Sequence, residues 1–175
     1  MSAIKALVFA RSARKGSVNK KFASVAADAS EVACATVTLI DLADFPGPVY
    51  KGGVESSEGL PKSMRDLKAL IAGYDRMLIV APEYNGCTPP FLLNMFAWMS
   101  RPENDEISCA ALANKPVIIV AASPGGLGSV RVIPRLPDTA QKLAQSQSQD
   151  LRHFLVHIRR LIMMASLRMK KALGC

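Results

Sequence analysis

Arg76-Met-Leu-Ile-Val-Ala-Pro-Glu-Tyr-Asn-Gly86, continued by Cys87-Thr-Pro-Pro-Phe-Leu-Leu-Asn-Met-Phe-Ala-Trp-Met-Ser-Arg101, decides the fold of this chain. Met77 to Ala81 form a short apolar run with β-branched members, the pattern of a strand buried on both faces. Pro82 has no N–H for a sheet ladder, so the strand should stop there. Glu83 to Gly86 read as a turn at the strand's carboxyl end, with Gly86 free to take positive φ. Thr88 is a candidate N-cap for a helix whose first turn tolerates a proline. Phe91, Leu92, Met95, Trp98 and Met99 recur at helical spacing and should bury one face.

Upstream, Ile4 to Ala10 read as a first strand, followed by Arg11-Ser-Ala-Arg-Lys-Gly-Ser-Val-Asn19 and a helix over residues 20–27. A strand, a short loop rich in hydroxyls and cations, and a helix N-terminus together make an anion site. Backbone N–H groups, the Ser12, Ser17 and Asn19 side chains, and the charge of Arg11 or Arg14 can converge on one phosphate. The loop is neither a Walker A nor a G-x-G-x-x-G fingerprint. Residues 36–40 and 116–122 read as further strands, residues 63–72 as a helix ending at Gly73, and residues 41–61 as a long connection. Alternation at this spacing argues an α/β, doubly wound parallel sheet, with ligands bound outside the strands' carboxyl ends.

Four motifs occur in order: Ser12 to Asn19, Pro82 to Gly86, the run from Asn94 to Arg101, and Ser123-Pro-Gly-Gly-Leu-Gly128. In this the chain resembles the NADPH-dependent FMN reductase family, flavodoxin-like reductases of quinones, chromate and azo dyes. The resemblance implies a three-layer α/β/α sandwich with FMN at the strand ends. It implies that Arg11, Ser12, Arg14, Ser17, Val18 and Asn19 surround the FMN phosphate. Pro82, Glu83, Tyr84, Asn85 and Gly86 would lie along the flavin ring's edge, with Ser123, Gly125 and Gly126 on its other side. Arg11 stands where the family usually has a glycine, and Leu93 and Ala97 replace a lysine and an aspartate common in the helix after the turn.

The resemblance runs through Leu136 and then stops. Residues 1–136 are therefore read as the flavodoxin-like FMN-binding domain, and residues 137–175 as an atypical basic segment of that domain. No β-branched run like Val117 to Val120 follows residue 137, so a fifth strand is expected to be missing or replaced by a C-terminal helix. From Leu151, apolar residues at 151, 154, 155, 158, 161, 162 and 165 carry helical periodicity. A shifted reading frame would give such an ending.

At 175 residues, with 50% hydrophobic residues and a mean hydropathy of +0.18, the chain should form one well-buried domain. No apolar run reaches the roughly 20 residues of a membrane span, and the N-terminus lacks a signal-peptide pattern. Four scattered cysteines without a C-x-x-C pair favour a reducing cytoplasm. The net charge of +8 is uneven: residues 1–140 hold 15 basic against 13 acidic side chains, and residues 141–175 hold seven against one. Without interleaved aromatics, that basic tail does not argue a nucleic-acid partner. His153 and His157 stand without metal-ligating company.

The function expected is FMN-dependent NAD(P)H oxidoreduction toward a small-molecule electron acceptor: a quinone, azo compound, metal oxyanion or free flavin. The alternatives are a flavodoxin-like electron carrier and an incomplete family member with weak flavin binding. A homodimer or homotetramer is expected. Glu83 and Tyr84 are read as shaping the flavin edge in preference to acid–base work, because flavin chemistry runs through the cofactor. Cys87 reads as packing before redox, and Trp98 as core or interface before substrate stacking. Arg101 reads equally as a steering cation or an exposed helix-end charge.

Overall fold

The computed structural model describes residues 4–10, 16–32, 35–122 and 131. Strands β1 (Ile4–Ala10), β2 (Ala35–Asp41), β3 (Arg76–Val80) and β4 (Val117–Val120) form one parallel sheet in the order β2-β1-β3-β4. Helices α1 (Val18–Val32), α2 (Gly52–Glu58), α3 (Lys62–Ala72) and α4 (Pro90–Met99) connect them. Successive strands run outward to opposite sides of β1, so the topological switch lies between β1 and β3.

Alternation along the strands divides the core in two. Leu7, Phe9, Met77 and Ile79 face α3 and α4, packing with Met64, Leu67, Ile71, Leu92, Met95, Trp98 and Met99. Val8, Ala10, Leu78, Val80 and Val120 form the other face, packing with Phe22, Ala23 and Ala27 of α1. This is the three-layer, flavodoxin-like arrangement that the sequence led us to expect.

Three local expectations need correction. The helix after β3 is not capped by Thr88: Pro89 is its N-cap, at φ −56° and ψ 132°, and Pro90 opens it without a side-chain cap. The cause is Pro90, whose ring forces the preceding residue out of the helical region. Second, the long connection after β2 contains helical elements that the sequence reading did not assign. Asp41 Oδ1 accepts the Ala43 N–H at 2.9 Å to start a 3-10 turn (Leu42–Asp44), and α2 follows. Third, α1 begins at Val18 and extends to Val32, which places Val18 and Asn19 inside the helix. The segment after residue 131, with its expected helix and the question of a fifth strand, lies outside the described residues.

Candidate functional site

Two segments, one after β1 and one after β3, stand at the carboxyl edge on either side of the switch point. At the first, Ser17 is the N-cap of α1, its Oγ accepting the Asn19 N–H at 3.2 Å. Lys21 N–H bonds back to Ser17 O at 3.2 Å, so the earlier amides of the first turn have no acceptor within the helix. The Ser17 hydroxyl, having accepted one bond, keeps a proton to donate. Asn19 is turned inward at 5% exposure, and its side chain holds Ala122: Nδ2 donates to Ala122 O at 3.0 Å and Oδ1 accepts Ala122 N–H at 3.1 Å.

At the second end, Ala81 N–H bonds to Val120 O at 2.9 Å before the chain leaves the ladder at Pro82, which is buried. Tyr84 and Cys87 exchange two backbone bonds, at 3.0 and 2.9 Å, around Asn85 (φ 52°) and Gly86 (φ 76°). Positive φ at both central residues is the type I′ turn that Asn-Gly favours. Glu83 lies under this turn, where Oε2 accepts the Arg131 N–H at 3.0 Å and Oε1 stands 3.6 Å from the Arg131 guanidinium. A Cβ on Gly86 would lie 3.3 Å from Arg131 Cδ, so the turn rests on that arginine.

Glu83 thus has a cationic partner and a backbone donor. Tyr84 and Asn85 are exposed at the tip, while Gly86 is buried. Arg11, Ser12, Arg14, Ser123, Gly125 and Gly126 lie outside the described residues. Arg131 and Ala122 were given no role by sequence reasoning; a contact spanning 103 residues leaves no local signal.

Two neighbouring candidates belong elsewhere. Trp98 is fully buried, its Nε1 donating to Pro48 O at 2.9 Å and its ring meeting Tyr50 edge-on at 5.0 Å. Arg101 is not simply an exposed helix-end charge: it lies 5.5 Å over the Tyr50 ring and donates to Tyr50 Oη at 3.3 Å. Tyr50 in turn donates to Glu55 Oε2 at 2.6 Å, which raises the phenol's pKa with help from desolvation. Among the described residues no group of His, Cys, Asp and Glu is arranged to hold a metal, and no helix is long and apolar enough to cross a membrane.

The edge therefore offers a capped helix N-terminus suited to an anion and a backbone-lined turn suited to a flat ring. The model of the NADPH-dependent FMN reductase family matches residues 4–143. The chain belongs to that family. A quinone reductase of Escherichia coli K12 is 34% identical over 120 residues, covering 69% of this chain and 60% of the relative. A 2-hydroxy-1,4-benzoquinone reductase of a Burkholderia species is 33% identical over 128 residues, covering 73% and 64%. Among solved structures, FerB, a flavoenzyme NAD(P)H:(acceptor) oxidoreductase from Paracoccus denitrificans, superposes with a TM-score of 0.66. It is 25% identical, and the match covers 81% of this chain and 73% of that one. The chain thus spans about 60% of the length of the quinone reductases it matches, and the family match ends 32 residues before Cys175.

The described residues fit an FMN group of the kind this family is named for. The α1 N-terminus and the Ser17 hydroxyl suit its phosphate, and the turn from Pro82 to Gly86 suits its ring edge.

Proposed function

We propose that this chain is an FMN-dependent NAD(P)H oxidoreductase acting on quinones, with azo compounds, metal oxyanions and free flavin as further candidate acceptors. The observation that carries the reading is that the Ser17-capped helix follows β1 and the Tyr84–Cys87 turn follows β3, neighbouring strands on either side of the sheet's switch point. FMN, when bound, supplies the hydride chemistry, accepting from a nicotinamide and passing reducing equivalents onward.

The chain's own residues bind and orient. Ser17 would donate a hydrogen bond to a phosphate oxygen while still capping α1, and the first-turn amides would add the helix dipole. Pro82 to Gly86 present a stiff backbone edge, kept in shape by Glu83 and Arg131. None of these residues is asked to move a proton. Arg11, Ser12 and Arg14 complete the phosphate pole in this proposal, and Ser123, Gly125 and Gly126 the ring's far side. Assembly as a homodimer or homotetramer is part of the same proposal, to be read by sizing in solution.

The test incubates the full chain with FMN, removes excess by desalting and reads the flavin absorbance, then follows NADPH oxidation with benzoquinone as acceptor. Retained flavin and acceptor-dependent oxidation are expected. Retained flavin without NADPH oxidation would replace the reading with that of an electron carrier. Ser17→Ala should weaken FMN binding by about tenfold, the loss of one charge-assisted bond. It should also cost about 1 kcal/mol of stability through the lost cap.

A further inference from the structure

The side chain of Asn19 is held by two bonds to one residue. Of its two N–H donors one goes to Ala122 O, and its oxygen accepts Ala122 N–H, the donor and acceptor standing at the spacing of a peptide group. That is a single step of β-ladder made by a side chain. It comes where the ladder gives out: Val80–Val120 is the last register pair of β3 and β4, and β3 turns away at Pro82. The Ala122 peptide groups are held where the sheet no longer serves them, and Asn19 is 95% buried while doing so.

Asn19 also sits in the first turn of α1, its own N–H taken by Ser17 Oγ. One residue therefore couples the helix N-terminus to the carboxyl end of β4, beside the turn that follows β3. We infer that Asn19 is a positioning residue, fixing these ends relative to one another and acting on a bound flavin through Ala122 without ligating its phosphate. Alanine cannot replace it. Aspartate is isosteric but, when ionised, accepts from Ala122 N–H and has nothing to donate to Ala122 O.

The inference rests on the flavin reading above, and riboflavin separates the two. Riboflavin has the ring and ribityl chain of FMN but no phosphate. Affinities of the full-length apo-protein for FMN and for riboflavin are measured in wild type, Asn19→Ala, Asn19→Asp and Ser17→Ala. Asn19→Ala should weaken both flavins by the same factor, about tenfold, because it loosens the frame. Ser17→Ala should weaken FMN and leave riboflavin nearly unchanged. Asn19→Asp should lose riboflavin affinity at about pH 8 and regain it toward about pH 5, where a protonated carboxyl can donate to Ala122 O. Amide hydrogen exchange at Ala122 in the apo-protein should quicken in Asn19→Ala.

A loss confined to FMN would make Asn19 a phosphate ligand and overturn the inference, as would unchanged affinity for both flavins. Should Asn19→Ala fail to fold, Asn19→Asp at about pH 8 gives the same comparison. Wild type that binds neither flavin would overturn the functional reading itself, a result distinct from either of these.

Discussion

The two faces of the sheet are packed by side chains of very different size. Against α3 and α4 stand Leu7, Phe9, Met77 and Ile79, meeting Trp98, three methionines and a set of leucines and isoleucines. Against α1 stand Val8, Ala10, Leu78, Val80 and Val120, meeting Ala23, Ala27 and Phe22. Large, interdigitated side chains on the first face bury the greater apolar area and should supply most of the stability. Ala10, Ala23 and Ala27 on the second let a helix approach the strands closely there. That approach is what allows a side chain as short as Asn19 to reach the backbone of Ala122 from the first turn of α1. One face holds the fold, and the other sets the geometry of the carboxyl edge.

The largest effect should come from the large-residue face. Trp98 is fully buried, and both its ring and its N–H are engaged with the connection before α2. Trp98→Ala should cost about 3–5 kcal/mol of unfolding free energy, read by denaturant titration. Flavin affinity of the protein that remains folded should change little. A cost below about 1 kcal/mol would show that this face does not dominate stability.

The converse substitution is Ala23→Leu, at a position 1% exposed between α1 and the sheet. Overpacking there should cost about 1–3 kcal/mol, less than Trp98→Ala. It should nevertheless weaken flavin binding more, because lifting α1 strains the Asn19–Ala122 tie. If Trp98→Ala harmed flavin affinity more than Ala23→Leu, the division of labour between the faces would be wrong.

The same comparison explains what was legible in the sequence. Strand β3 announced itself by an apolar run ending at Pro82, and the turn by Asn85-Gly86, because both signals are local. Trp98 was readable as core from its spacing with Leu92 and Met95. Helix α2 was not readable: Gly52 to Glu58 has no apolar period and no buried residue. What anchors its neighbourhood is tertiary, through Tyr50, Glu55 and Arg101. At the site, Gly86 carries its positive φ in its type and position, whereas the capping role of Ser17 appears only once α1 is seen to begin at Val18. Asn19 reads from the sequence as a phosphate group's partner, and its bonding to Ala122 is not legible there. Its bonds to Ala122 depend on how closely α1 sits on the sheet, and nothing within a few residues encodes that.

The smallest effect should come from an ion pair at the opposite edge, where α4 ends. Lys68 on α3 is buried, and its Nζ donates to Arg101 O at 3.0 Å and to Glu106 Oε2 at 2.6 Å. The Lys68 hydrogen bond, chiefly, holds the Glu106 carboxyl below its ordinary value. A carboxylate whose folded pKa is lowered adds stability above its unfolded value and loses it as pH falls through the folded one. Because the Glu106 side chain is 46% exposed, solvent screening limits the contribution to about 1 kcal/mol or less. Glu106→Gln should therefore be slightly less stable than wild type at neutral pH, and the two unfolding curves should converge as pH drops below the ordinary carboxylate range. Flavin affinity should be the same in both, since this pair lies at the edge away from the β3 turn. A pH-independent difference would mean that Glu106 acts by packing. A change in flavin affinity would mean that the large-residue face transmits strain to the carboxyl edge, and the separation of the two faces would have to be given up.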